Sequence, residues 1–213
     1  MLAPDMATML AVLVSDAAVD PATLTGVLRA GVADSFNAMT VDGCTSTNDT
    51  VLLLAAGRAG APDPAAFAAA VAAACTDLAV QMVGDAEGHT KVVTVRITGA
   101  ASDAEARQAA RKVAESQLVK CSWFGGDPYW GRVASDLGTA GVKLDPGALT
   151  IAYGGTVVSR GCTPAYHDAD AVADHMAGGY LDVHCDLGVD DGRARVLTND
   201  LTYGYIDENK GTS

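Results

Sequence analysis

Four stretches of this sequence concentrate hydroxyls, carboxylates and glycines beyond what a connecting loop needs. Residues 3–10 (APDMATML) set the hydroxyl of Thr8 between a polar turn and an apolar run. Residues 35–50 (SFNAMTVDGCTSTNDT) carry hydroxyl and amide side chains suited to satisfying loop backbone and starting a helix. Residues 84–91 (GDAEGHTK) place Glu87 in a glycine-flanked loop ahead of an apolar strand, and loops held by a rigid sheet often grip substrate. In residues 124–132 (FGGDPYWGR), Asp-Pro and glycines mark tight turns around an aromatic pair. On residue types alone the plainer readings stay open: strand entry for Thr8, capping and turn chemistry for 35–50, a solvated side chain for Glu87, and a structural corner for 124–132.

The elements that must position these stretches follow from apolar periodicity. Residues 9–19 read as a buried strand ending at the Asp20-Pro21 breaker, and 21–31 carry Leu24, Val27 and Leu28 at helical spacing. Asp63-Pro64 caps an alanine-rich helix expected to reach about Val83. Residues 91–98 form a strand with Val93, Val95 and Ile97 on one face, and the capping box Ser102-x-x-Glu105 opens a helix expected to run to about Val119. Residues 149–159, 180–187 and 193–206 read as strands, with a helix at 168–176. Gly-Gly pairs at 125–126, 154–155 and 178–179 punctuate turns. Strands and helices in mixed order, without a regular βαβ repeat, predict an α+β layered fold. No G-x-G-x-x-G or Walker sequence follows a strand, so no nucleotide cofactor is expected.

Composition narrows the function classes. The chain has 213 residues, 49% of them hydrophobic, which suits a globular core. Its net charge of −12 argues against binding nucleic acid or an anionic membrane, and 5% aromatic residues leave little for base stacking. The longest apolar run, residues 65–75, stops at Thr76-Asp77, short of a membrane span. Asp5 interrupts the N-terminal apolar stretch and no basic residue precedes Arg29, so a secretory signal is not expected and a cytoplasmic location is. Cys44, Cys75, Cys121, Cys162 and Cys185 contain no C-x-x-C pair, and the four histidines lack metal spacing, so neither a disulfide framework nor a metal site is expected.

Taken together, the blocks resemble the C-terminal, or β, half of the ornithine acetyltransferase (glutamate N-acetyltransferase) family. APDMATMLAVLVSDA at 3–17 resembles the family's cleavage region APNMATMLAF-x-x-TDA, and 35–51 resembles SFN-x-x-TVDG-x-TSTNDTV. Residues 87–91 are similar to the family's GEGATK block with His89 for Ala, 124–132 to FG-x-DPNWGR with Tyr129 for Asn, and 200–206 to DLTYDYV with Gly204 for Asp. The resemblance covers nearly the whole chain. It implies a layered α/β sandwich of the N-terminal-nucleophile-like type, divided into residues 1–7, the end of an α chain, and 8–213, a β chain.

The activity so implied is self-cleavage between Ala7 and Thr8, in which Thr8 attacks the preceding carbonyl and emerges as a new N-terminus. The residue type suits the task. A threonine hydroxyl is a weak nucleophile that needs an adjacent base, and a free α-amine on the same residue can serve. The Thr8 hydroxyl would then take acetyl from N2-acetylornithine and pass it to glutamate, as in arginine biosynthesis. Thr8, Glu87, Asn209 and Ser213 are the implied substrate-binding residues. The resemblance also implies an N-terminal α chain of the same precursor in an α2β2 heterotetramer. That α half holds the Thr-Gly oxyanion hole and a pocket Lys, and such donors contribute about 3–4 kcal/mol. The 213-residue chain alone is therefore expected to be a poor enzyme. Three other readings are carried: a family paralogue in clavulanic-acid-type specialised metabolism, an N-terminal-nucleophile amidase or aminopeptidase, and an inactive truncated fragment.

Overall fold

The computed structural model describes residues 9–45 and 48–211, and Ala7, Thr8 and Ser213 lie outside them. The chain divides into two compact units, one up to Met82 and one from Val83 onward. Each is built on its own sheet.

In the first unit, β1 (Leu10–Ser15) pairs in parallel with β2 (Thr50–Ala55), Leu10 opposite Thr50 and Val14 opposite Leu54. The sequence expectation of a strand over 9–19 holds for its first part; β2 is not among the strands expected from the sequence. Helix α1 (Pro21–Ala33) starts where Asp20 accepts the backbone N–H groups of Ala22 and Thr23, with Pro21 at its first position. The alanine-rich helix α2 (Pro64–Val83) forms as expected. Gly31 of α1 lies where a Cβ would sit 3.3 Å from Cys75 Sγ, so a glycine lets the two helices approach. The buried stripe of α2 is narrow: Val71, Cys75, Ala79 and Val83, at i, i+4 spacing.

Two expectations are corrected in this unit. The apolar run that stops at Thr76-Asp77 is expected to fall short of a membrane span, but the whole of α2, at 20 residues, is long and apolar enough to cross a membrane by length and composition. An aspartate is compatible with helix interior when solvated, and Asp77 accepts from Gln81 one turn on at 2.7 Å. The expected buried strand is buried on one face only. Ala11 and Leu13 point inward, while Leu10 (72%), Val12, Val14 (76%), Leu52 and Leu54 form an exposed apolar face.

The second unit holds a six-stranded mixed sheet. Its strands are β3 (Val92–Ala100), β4 (Thr150–Tyr153), β5 (Thr156–Arg160), β6 (Thr163–Pro164), β7 (Tyr180–Asp186) and β8 (Gly192–Asn199), in the order β6-β5-β4-β7-β3-β8. The α+β expectation is met. Alternation with period two sorts the central strands. Val93, Val95 and Ile97 stand beside Leu181, Val183 and Cys185 of β7 and Val196 of β8, all on the core face. Helices α3 (Asp103–Ala114), α5 (Trp130–Gly138) and α6 (Ala169–Ala177) contribute Ala106, Ala110, Val133, Leu137, Val172 and Met176 to the same core. The opposite face is polar. Arg96 Nε donates to Asp182 Oδ1 at 2.6 Å, and the Thr98 hydroxyl donates to Asp186 at 3.0 Å and accepts from His184 Nε2 at 2.9 Å.

Local chemistry explains the remaining boundaries. Ser102 caps α3 through the Glu105 N–H, as the capping box predicts. The helix expected to reach Val119 instead stops after Ala114, because Ser116 caps a new helix, α4 (Gln117–Phe124). Residues 149–159 are a hairpin rather than one strand: Gly154 and Gly155 both take positive φ, 55° and 82°, and turn β4 into β5. The strand expected over 193–206 ends at Asn199. Thr202 then caps a helix, α7 (Tyr203–Asn209), by accepting the Tyr205 N–H at 3.1 Å.

The two faces of the sheet should respond differently to truncation. Ile97→Ala is expected to cost about 2–5 kcal/mol of stability in urea unfolding, because it opens a cavity in a fully buried site. Arg96→Ala, which breaks an ion pair whose side chains are 47% and 39% exposed, should cost no more than about 1 kcal/mol. Comparable losses would contradict this one-sided core. A pH dependence follows as well. Burial pushes the Cys185 thiol up to about 12 from an ordinary 9.0 and holds the Tyr153 phenol above its usual range. Both groups are neutral in the fold and ionise more easily once unfolded. The contribution of these two groups to stability should be level below about pH 9 and be lost as pH rises toward 12, measured as urea midpoints between about pH 8 and 12.

Candidate functional site

Each unit gathers a different set of the blocks singled out in the sequence. In the first, the backbone at Met9 is already fixed: its carbonyl accepts the Thr50 N–H at 2.8 Å. The end of the 3–10 block therefore lies beside the end of the 35–50 block, and parallel pairing carries the chain on from there. Within 35–50, the buried side of the loop is built by Phe36, Met39 and Thr40. Ser35 bonds back to the Gly31 carbonyl at 2.6 Å, and Asp42 accepts the Cys44 N–H at 2.9 Å, so capping and turn chemistry occupies part of this block. The Asp49 carboxylate oxygens are buried with no hydrogen-bond partner among the described residues. A groove of about 450 Å3 runs between β1 and α2, lined by Val12, Val14, Leu53, Phe67, Val71 and Leu78 among others.

In the second unit the 84–91 loop, the 124–132 corner and the 200–206 segment converge. Glu87 is exposed on the loop between α2 and β3. Its neighbour Gly88 has φ +61°, and a Cβ there would stand 2.2 Å from the backbone carbon of Gly204. The loop thus lies against the first turn of α7 at backbone contact. His89 stabilises the loop from within, its Nδ1–H donating to the Ala86 carbonyl at 2.6 Å. The Thr202 hydroxyl donates to the Gly88 carbonyl while accepting the Tyr205 N–H.

Just beyond the loop, the buried carboxylate of Asp200 accepts the N–H groups of Thr90 (2.9 Å) and Lys91 (3.0 Å) and the Thr90 hydroxyl. Lys91 is buried too, and its ammonium donates to the carbonyls of Trp123 (2.8 Å) and Met176 (2.6 Å). Buried Lys120 reaches Asn199 Oδ1 at 2.8 Å. Charged groups taken out of water must be met by such donors and acceptors.

The 124–132 block is a corner, as its glycines suggest, and it also touches α7. Gly125 ends α4, Gly126 takes φ +69°, and Asp127 N–H returns to the Ser122 carbonyl at 2.8 Å. Arg132 bonds the Leu118 carbonyl at 2.9 Å and lies 5.0 Å from the centre of the Tyr129 ring. Phe124 meets Tyr203 edge to face at 5.8 Å between ring centres. Asn209 is the last residue of α7, exposed, with Nδ2 donating to the Tyr205 carbonyl at 2.9 Å. Glu87 and Asn209 are therefore carried by two segments that are locked together. Asp200, Thr202, Lys91 and Lys120 escaped the sequence reading as site residues. Asp200, Thr202 and Lys91 sit inside the blocks quoted above, but side chains that hold backbone rather than substrate leave no distinct spacing. Among the described residues no group of three or more His, Cys, Asp or Glu could hold a metal ion.

Comparison with known proteins adds a separate line of evidence. A family model described as the ArgJ family matches residues 1–211. The arginine biosynthesis bifunctional protein ArgJ of Mycolicibacterium paratuberculosis is 47% identical over the whole of this chain and 52% of its own length. That of Mycobacterium tuberculosis H37Rv is 44% identical over the same shares. The chain thus spans about half the length of the curated relatives it matches. The crystal structure of the Bacillus halodurans protein of the same name superposes with a TM-score of 0.90 at 35% identity, covering 96% of this chain and 100% of that one.

The contact between loop and helix carries a testable consequence. Gly88→Ala combines a positive φ with a Cβ driven into backbone. Gly126→Ala has a similar φ, +69°, with nothing within 4 Å. Strain alone costs about 1–3 kcal/mol. Gly126→Ala should lose no more than that in urea unfolding and Gly88→Ala clearly more; equal losses would place loop and helix apart.

Proposed function

The chain belongs to the ArgJ family, and we propose that it is the β-chain portion of a self-processing acetyltransferase that moves acetyl from N2-acetylornithine to glutamate. Residues 1–7 are the end of an α chain and 8–213 the β chain. The observation that carries this reading is one of extent. The curated relatives are matched over 52% of their length, whereas a single chain in a relative's crystal structure is matched over 100% of its length. A separate polypeptide of about this size fits a precursor cut near the start of this sequence.

The chemistry rests on Thr8. Its hydroxyl attacks the Ala7 carbonyl carbon, the acyl group shifts from nitrogen to oxygen and so frees the α-amine of Thr8, and water then hydrolyses the ester, releasing the Ala7 carboxylate and restoring the Thr8 hydroxyl. In the transfer cycle that amine accepts the hydroxyl proton as the oxygen attacks the acetyl carbonyl. The proton passes to the departing amine, ornithine leaves, and an acetyl-threonine ester remains. The glutamate amine then attacks the ester and regenerates the hydroxyl. Glu87 offers a carboxylate to a substrate amino group, and Asn209 and Ser213 complete the substrate contacts. No cofactor takes part.

The partner is the N-terminal half of the same precursor, in an α2β2 assembly. Parallel strands are normally covered on both faces and a two-stranded sheet is marginal by itself. The exposed face of Leu10, Val12, Val14, Leu52 and Leu54, together with α2 at 22% burial, supplies the apolar surface such a half would cover. Burial against that half rather than against lipid makes α2 a soluble protein's helix, and the enzyme acts in the cytoplasm without nucleic-acid partners.

Co-expression with the upstream half, followed by intact-mass measurement, tests the central step. The expected product lacks residues 1–7, and Thr8→Ala stays uncut and inactive. An uncut protein that transfers acetyl at full rate would sink the assignment.

A further inference from the structure

We propose that Thr202 is a positioning residue: its one hydroxyl couples the Glu87 loop to helix α7, so that the two substrate-facing segments move as a single body. The inference rests on the reading of Glu87 and Asn209 as substrate contacts. The hydroxyl uses both of its capacities. It accepts the Tyr205 N–H at 3.1 Å, which starts α7, and it donates to the carbonyl of Gly88, the residue next to Glu87. No other described hydrogen bond from this side chain is needed to join loop and helix. The neighbouring bonds fix the ends of the pair. Asp200 accepts the N–H groups of Thr90 and Lys91 at 2.9 and 3.0 Å, and its own N–H reaches the Lys91 carbonyl at 3.3 Å. Gly88 and Gly204 leave out the side chains that would hold the backbones apart. The Phe124–Tyr203 ring contact also holds the helix start.

A loop so held presents Glu87 without paying ordering entropy when substrate arrives. Its loss should appear as weaker binding, with little change in the rate of a bound complex. The chemical step belongs to Thr8, so self-cleavage should be untouched.

The test compares Thr202→Val, which is close in shape but can neither donate nor accept, with Thr202→Ser, which retains the hydroxyl. Both are made in the processed two-chain enzyme. For Thr202→Val, the KM for glutamate and for N2-acetylornithine should rise about tenfold with kcat within about twofold, and Thr202→Ser should restore both. Amide hydrogen exchange over residues 84–91 should quicken in Thr202→Val while Val93, Val95 and Ile97 stay protected. Unchanged exchange in the loop, unchanged KM, or a serine variant as impaired as valine would overturn the proposal. So would a uniform loss of protection through β3, which would mark Thr202 as a general stabiliser. If the unaltered enzyme transfers no acetyl group, the acetyltransferase reading fails. The exchange comparison still decides whether Thr202 holds the loop.

Discussion

The second unit depends on a buried carboxylate. Asp200 follows β8 and is almost wholly removed from water, and its two oxygens take two backbone N–H groups and a hydroxyl from Thr90 and Lys91. An uncompensated carboxylate in such a place would cost several kcal/mol, so the donors must be there. Their presence fixes the exit of the last strand against the entry of β3. Everything that converges nearby inherits this constraint: the turn carrying Glu87, the cap of α7, and Lys91, whose ammonium reaches back to the ends of α4 and α6 through Trp123 and Met176.

A different kind of constraint shapes the two sheets. In the six-stranded sheet one face is apolar and covered by helices, while the other presents Arg96, Thr98, Asp182, His184 and Asp186 bonded to one another. That face can stand in water. The two-stranded sheet of the first unit has apolar side chains on both faces, and among the described residues only one face is covered. Among the described residues, the first unit thus leaves an apolar sheet face exposed, whereas the second turns its exposed sheet face polar.

Much of this was legible in the residues. Asp63-Pro64 and Ser102-x-x-Glu105 located helix starts because caps are local, made by side chains within three residues of the groups they satisfy. The alternation of Val93, Val95 and Ile97 declared the buried face of β3. What failed to show did so for physical reasons. The run 193–206 looks like one strand because apolar and β-branched residues persist through Thr202; the switch to a helix is made by a hydroxyl that also needs the distant Gly88 carbonyl. The helix from Asp103 breaks at Ser116 because that residue caps a new one, a choice that periodicity does not register.

The sequence by itself determined the family, the α+β class and the order of most elements, because ordered motifs and local capping are written in residue types. Only the tertiary structure decided that the Glu87 loop, the 124–132 corner and the C-terminal helix form one cluster. Their contacts join residues up to 114 positions apart, and their union rests on the buried Asp200 carboxylate, the doubly used Thr202 hydroxyl and a glycine-to-glycine approach. Contacts of that separation are set by satisfying buried polar groups across the fold, and no spacing along the chain encodes them.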